Sequence, residues 1–137
     1  MSKIPLSIVI LAKNEEKRIE DCIKSVREWA NEVIVVDDES TDNTPRLAKE
    51  LGAKVLVQRM DVEGKHRNWA YSKANNEWVL SLDADERLTE ELKVEIEVIL
   101  AAIPKQNAFT IPRRNFIGDY WIRWGGDVSF SSVKIIP

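Results

Sequence analysis

Asp83 and Asp85 stand one residue apart at the end of the apolar run Trp78-Val79-Leu80-Ser81-Leu82. Two carboxylates so placed suit a hard divalent cation, Mg²⁺ or Mn²⁺, that keeps positions open for water and phosphate oxygens. Two other polar groups also follow apolar runs: Asp37-Asp38 open the cluster Asp37 to Thr44 after Val33 to Val36, and Asn14-Glu15 come after Leu6 to Leu11. A helix cap uses one such side chain, whereas two adjacent aspartates at a buried strand end repel each other without a partner. The chain has no Gly-x-Gly-x-x-Gly and no Gly-x-x-x-x-Gly-Lys-Ser/Thr, so neither glycine-rich motif is available to cradle phosphates. With 20 Lys+Arg against 23 Asp+Glu the formal charge is −3. A bound pyrophosphate would therefore need a metal, or a few placed Arg and Lys, to neutralise it.

These residues need a scaffold that brings strand ends together. Leu6 to Leu11 reads as a strand, and Ile19, Cys22, Ile23, Val26 and Ala30 recur after it at helical spacing. Val33 to Val36 is a second strand, followed by a helix that has Pro45 at its start and Gly52 at its stop. Val55 to Val57 is a third strand, Lys65 to Ala74 a helix, and Trp78 to Leu82 a fourth strand. Thr89 caps a last helix with Leu92, Ile96, Ile99 and Ile103 on one face, ended by Pro104. Such alternation predicts a doubly wound, mainly parallel α/β sheet with helices on both faces. In the order 3-2-1-4, all three polar clusters meet beyond the carboxyl ends of the strands, where open α/β sheets bind ligands.

A chain of 137 residues with 44% hydrophobic and 31% charged content fits one globular domain and excludes disordered or repeat classes. The net acidity and the lack of a basic run exclude nucleic acid as a partner. Cys22, the single cysteine, rules out an internal disulfide, and its place on the helical stripe makes it a core residue. The single cysteine fits a reducing compartment, so the expected location is cytoplasmic or peripheral at the inner face of a membrane, and no segment is long and apolar enough to span one. His66 reads as a solvated surface residue near a helix start, and Trp29, Trp69 and Trp78 as packing residues.

The runs Val35 to Thr44, Lys65-His66-Arg67-Asn68 and Leu82 to Glu86 together resemble, in order and spacing, glycosyltransferase family 2 over about residues 5 to 126. Leu11 to Glu16, Asp37 to Ser40 and Ile111 to Asn115 are similar to patterns of bacterial lipopolysaccharide-core glucosyltransferases. The resemblance implies a GT-A fold and a metal-dependent inverting transferase. It would pass a hexose from a nucleotide-sugar donor, usually a UDP-sugar, to a lipopolysaccharide or other glycan or glycolipid acceptor. Carried over by motif, Asp37 and Asp38 would meet base and ribose, with Asn14 and Glu15 lining the same pocket. Arg67 would lie by the base or diphosphate, with Lys65 and Asn68 beside it. Asp85 would bind the metal, and Asp83 ribose or metal.

Inversion also requires a general base. Asp119 and Asp127 are the only carboxylates after Glu97, and neither matches the family's base. The whole chain, 1–137, is read as one domain, with 1–103 binding nucleotide and 104–137 beginning an acceptor side that looks cut short. Tyr120, Trp121 and Trp124, beside Arg113, Arg114 and Arg123, suit sugar stacking, core packing or a peripheral membrane contact. The alternative is a non-catalytic nucleotide-sugar-binding or interaction module of the same fold. A phosphatase-like use of the aspartate pair fits poorly, because that pair follows the fourth strand instead of the first. An EF-hand fits worse, because Leu88 stands where its loop needs glycine.

Overall fold

Strands and helices alternate through the first hundred residues: β1 (Ile4–Ala12), α1 (Ile19–Lys24), β2 (Ala30–Asp37), α2 (Thr44–Glu50), β3 (Lys54–Val57), α3 (Glu63–Tyr71), β4 (Trp78–Asp83) and α4 (Glu90–Ala101). Four strands follow: β5 (Ala108–Pro112), β6 (Asn115–Ile117), β7 (Tyr120–Ile122) and β8 (Phe130–Ile135). The structure, a computed structural model, describes residues 3–105, 108–112, 115–117, 120–122 and 130–135.

The main sheet has the order β3-β2-β1-β4-β8-β5. Its first four strands are parallel and in the expected 3-2-1-4 order, while β8 runs antiparallel between β4 and β5. β6 and β7 form a separate antiparallel pair. Side chains of a strand point alternately to the two faces, so β1 feeds two cores. Leu6, Ile8, Ile10 and Ala12 pack with Ile19, Cys22, Ile23 and Val26 of the α1 region, Ala48 of α2 and Ile96 of α4. Val9 packs on the opposite face with Ile34, Val36, Val79 and Ala70 of α3. The sheet is thus covered on both faces, and Trp29, Trp69 and Trp78 pack against these cores as expected.

Ser7 is the polar interruption of β1, and it is fully buried. Its hydroxyl donates to Glu32 Oε1 at 2.6 Å and accepts from Asn76 Nδ2 at 2.9 Å, while Asn75 N–H donates to Glu32 Oε1 at 2.8 Å. This network fastens the turn before β4 to the amino edge, leaving the carboxyl edge for the polar clusters.

Several boundaries differ from the sequence reading. Ala30 begins β2 instead of extending the α1 stripe, because the chain turns after Lys24. α3 begins at Glu63, behind the extended Val62, and stops at Tyr71. Thr89 caps α4 as expected, its Oγ1 accepting from Leu92 N–H at 3.2 Å. Leu92, Ile96 and Leu100 face the core, but Ile103 lies past the helix at φ 50° and is 85% exposed. β8, in the tail after Gly125-Gly126, was not foreseen. No helix among the described residues is long and apolar enough to cross a membrane.

Candidate active site

Strand register sets the site. Ala12 of β1 pairs with Asp37 of β2, Leu11 pairs with Asp83 of β4, and Asp37 pairs with Val57 of β3. The carboxyl ends of these four strands are therefore level, and Asn14, Asp37, Asp38 and Asp83 stand along one edge. Along β4, Val79, Ser81 and Asp83 share the face covered by α3, which puts Asp83 within reach of that helix.

The loops after β1 and β2 are laced together. Asn14 N–H donates to Ser40 Oγ at 2.8 Å, and Asn14 Oδ1 accepts from Thr41 N–H at 2.8 Å. Glu15 N–H donates to Thr44 Oγ1 at 2.9 Å, and Asn43 N–H donates to Glu16 Oε2 at 3.1 Å. Asn14 and Glu39 hold left-handed backbone at φ 52° and 48°. Asparagine tolerates that region, whereas for glutamate it is strained, and such strain collects at sites whose surroundings over-determine the backbone.

The repulsion between the adjacent aspartates is met by separate partners. Both Asp37 oxygens accept from Ser40, one from its N–H at 2.9 Å and the other from its hydroxyl, and the residue is only 1% exposed. Asp38 Oδ1 accepts from Met60 N–H at 2.9 Å, and Oδ2 lies 3.8 Å from Lys13 Nζ. Asn14 and Asp37 thus shape the loop, while Asp38 joins the end of β2 to the segment entering α3.

A second group forms around β4. Carboxylate oxygens of Asp83, Asp85 and Glu86 lie within 4.8 Å of one another. Glu86 was missed as a candidate although it adjoins the aspartate pair; its Oε1 accepts from Asp83 N–H at 2.7 Å, which folds it back onto the motif. Arg67 of α3 places Nη2 3.6 Å from Asp83 Oδ1, Nη1 3.3 Å from Ser81 Oγ, and Nε 3.1 Å from Glu63 Oε1. Burial works against its charge, but hydrogen bonding with Tyr71 and Glu63 and the charge of Asp83 outweigh that and raise its pKa. Lys65 and Asn68 lie exposed on the same helix. Arg18, also unforeseen, bridges Glu15 and Asp85 at 3.8 and 3.9 Å. The all-oxygen donor set is of the kind that suits a hard divalent cation, which Asp83, Asp85 and Glu86 could hold.

Cys22 lies behind this group, its thiol 3.6 Å from the Asp83 carbonyl oxygen. Burial, then the negative charges of Glu86, Asp85 and Asp83, push its pKa up to about 12. It is the inert core residue expected. His66 corrects the sequence reading: it is 5% exposed instead of solvated, because it precedes Ala70 by one turn on the inner face of α3. Its Nδ1 has no hydrogen-bond partner among the described residues. Asp119, Asp127, Arg113, Arg114, Arg123 and Trp124 lie outside the described residues, and Tyr120 and Trp121 belong to β7.

Comparison with known proteins places this geometry. An uncharacterized glycosyltransferase of Rickettsia typhi is 50% identical over 97 residues, covering 71% of this chain and 33% of its own length. The lipopolysaccharide core biosynthesis glycosyltransferase LpsC of Rhizobium meliloti is 30% identical over 123 residues, covering 86% of this chain and 45% of its own. The chain thus spans about a third to a half of the length of these relatives. Among solved structures, glucosyl-3-phosphoglycerate synthase of Mycobacterium tuberculosis in complex with uridine diphosphate superposes with a TM-score of 0.59 at 26% identity, covering 75% of this chain and 42% of the synthase. The α/β sheet is that of the GT-A fold. Residues 7–132 match the family described as Glycosyl transferase family 2, and the chain belongs to that family.

Proposed function

We propose that this chain forms the nucleotide-sugar-binding part of a metal-dependent inverting glycosyltransferase. The observation that carries the reading is the meeting, at one sheet edge, of the Asp37-Asp38 loop, the Arg67–Asp83 pair and the group Asp83, Asp85 and Glu86. The uridine diphosphate in the complex of the Mycobacterium tuberculosis synthase supports a UDP-sugar as donor. A hexose passes, in this reading, to a lipopolysaccharide or other glycan acceptor at the cytoplasmic face of a membrane, and the likeness to LpsC, a lipopolysaccharide core biosynthesis glycosyltransferase, supports the lipopolysaccharide acceptor.

In this reading each group has a distinct task. Asp38, whose Oδ2 lies 3.8 Å from Lys13 Nζ, accepts from the base or ribose. Asp37 and Asn14 keep the adjoining loop in shape, and Glu15 lines the pocket they define. Arg67 holds Asp83 in place and presents positive charge toward the diphosphate, with Lys65 and Asn68 at the mouth. Asp83 and Asp85, joined by Glu86, hold Mg²⁺ or Mn²⁺, which when bound supplies the positive charge that a leaving diphosphate requires. Arg67 and Arg18 keep these carboxylates from splaying apart.

Calorimetric titration of UDP into the purified chain, with and without Mn²⁺, tests the proposal. Binding is expected only with the metal and is expected to be lost in the double variant Asp83→Ala/Asp85→Ala. A folded chain that binds no UDP in the presence of Mn²⁺ would leave the interaction-module reading in its place.

A further inference from the structure

The spacing of α2 buries Thr44 and Ala48, sets Leu47 and Leu51 against the core, and leaves Arg46, Lys49 and Glu50 in solvent. Gly52 and Ala53 turn the chain into β3, the end strand of the main sheet on that side. Between α2 and β3 lies a groove of about 540 Å³, with Pro45, Ala53 and Val55 as its apolar lining and Arg46, Lys49 and Lys54 as its cations. Val57 shares the face of Val55, because side chains alternate along a strand, and it is 62% exposed. The apolar lining thus continues to the carboxyl edge. Glu50 is bonded to Arg46 at 2.8 Å. Among the described residues Lys49 and Lys54 form no ion pair, and Glu32 acts on Lys54 only at longer range. From Pro45 to Met60 the cations Arg46, Lys49, Lys54 and Arg59 stand against one acid, Glu50, a net +3 in a chain of net −3.

We propose that the α2–β3 groove, with Val57 at its end, is a docking face for an anionic membrane surface, on which Lys49 and Lys54 meet lipid phosphates and Val57 enters the headgroup boundary. This rests on the membrane-borne acceptor of the reading above and names the face that brings the chain to it. Peripheral binding grows with the apolar area buried and with the attraction of basic side chains to anionic lipid, and this face offers both together. Val57 pairs with Asp37 across the strands. A chain docked here therefore holds the carboxyl edge, with its polar clusters, beside the leaflet that carries the acceptor. An acidic peptide added as a strand along β3 is the rival occupant. β3 has only 4 residues and begins on the exposed Lys54, and both features discourage an added strand.

Flotation of the purified chain with phosphatidylglycerol/phosphatidylethanolamine vesicles, against phosphatidylcholine vesicles, tests the proposal. Binding is expected to the anionic vesicles alone. Lys49→Gln/Lys54→Gln is expected to weaken it about thirtyfold, equivalent to about 2 kcal/mol for two cations. The same charge change elsewhere, Lys73→Gln/Lys105→Gln, is expected to cost less than about threefold, because those lysines lie off this face. Val57→Ser should also weaken binding, and its effect should persist in 0.5 M salt, where that of the lysines fades. The replaced side chains are exposed, so the melting temperature should hold; should the double variant melt early, Lys49→Gln alone makes the same comparison, with a loss of about fivefold. No binding to anionic vesicles, or equal losses in the two lysine pairs, overturns the proposal. So does binding of a soluble oligoglutamate that the groove variant loses while vesicle binding stays intact, which would assign the groove to an acidic protein segment. Titration of UDP with Mn²⁺ separates this from the donor reading: a chain that binds UDP but ignores the vesicles refutes the docking face alone, and one that floats but binds no UDP refutes the donor reading and leaves the docking face standing.

Discussion

Neutralising Asp85 is expected to have opposite effects with and without metal. Its carboxylate oxygen lies within 4.8 Å of those of Asp83 and Glu86, and 3.9 Å from Arg18 Nη1. Asp85 is about half exposed, so the dielectric of water is the appropriate one, and each repulsion is then worth about 0.9 kcal/mol against about 1.1 kcal/mol of attraction to Arg18. Asp85→Asn removes two repulsions and one attraction, a net gain of about 0.7 kcal/mol. For a domain of this size that raises the melting temperature by about 2 °C. With Mn²⁺ at 100 times its Kd the wild type gains about 2.7 kcal/mol, whereas a variant that binds tenfold more weakly gains only about 1.4 kcal/mol. The two melting curves should therefore exchange order: the variant melts higher in chelator and lower in Mn²⁺. Thermal melts followed by circular dichroism read this directly, and the chelator difference should shrink in 0.5 M salt, where exposed charges are screened. An equal Mn²⁺ shift in both proteins would refute Asp85 as a metal holder, and a variant that melts lower in chelator would refute the charge argument.

Two further outcomes concern groups away from the ligand. Cys22 has a pKa of about 12 against an ordinary 9.0, so well below pH 9 its thiolate fraction is lower by about 10³ and its native reaction with a chromogenic disulfide reagent should slow by at least that factor relative to the denatured chain; a native rate within tenfold of the denatured one would show that the thiol is not held as described. Burial raises the Glu32 pKa, but hydrogen bonds from Ser7 and Asn75 and the charge of Lys54 outweigh it and leave the pKa below the ordinary 4.5. A depressed pKa stabilises the fold above pH 4.5, and that contribution fades as pH falls through the folded-state value. Glu32→Gln should cost about 1 kcal/mol at pH 7, a figure reduced for partial exposure, and should flatten the loss of stability below pH 4.5. Urea unfolding between pH 3 and 7 checks this, and parallel pH curves for the two proteins would count against it.

The features legible in the sequence are those encoded by short-range pattern. Near-continuous apolar runs mark β1, β2 and β4 as buried on both faces, and the polar residues that follow each run mark the carboxyl edge. With helices on both faces, the usual handedness of βαβ crossovers requires the strand order to reverse once, and 3-2-1-4 is an order in which all three polar clusters share one crevice. Thr89, Pro45 and Gly52 act locally, and each sits where its chemistry places it. The misreadings arise where one local pattern serves two structures. Ala30 continues the helical spacing of α1 yet is equally buried as the first residue of β2. His66 has no apolar neighbours in sequence to signal burial, but its four-residue offset from Ala70 puts it on the inner face of α3. In β8, Val133 and Ile135 alternate with Ser132 and Lys134, a strand signal too short to stand out in a serine-rich tail.

The site is divided along the same line. Asp83 and Asp85 are conspicuous because their spacing is itself the motif, and Glu86 escapes notice because its role depends on a bond folding it back to the Asp83 N–H. Arg18 and Met60 meet the site only across the fold, one bridging Glu15 to Asp85 and the other donating to Asp38 from 22 residues away. The bonds from Asn14, Glu15 and Glu16 to residues 40–44 likewise join loops that are 26 to 29 residues apart. These contacts fix how far the first two loops stand from the β4 carboxylates, and hence the room between the base-side residues and the metal-side residues. Sequence motifs identify which groups take part. The lacing of the loops sets their separation, so a change at Ser40 or Thr44, neither of which needs to touch a ligand, should disturb donor binding as surely as one at the motif residues.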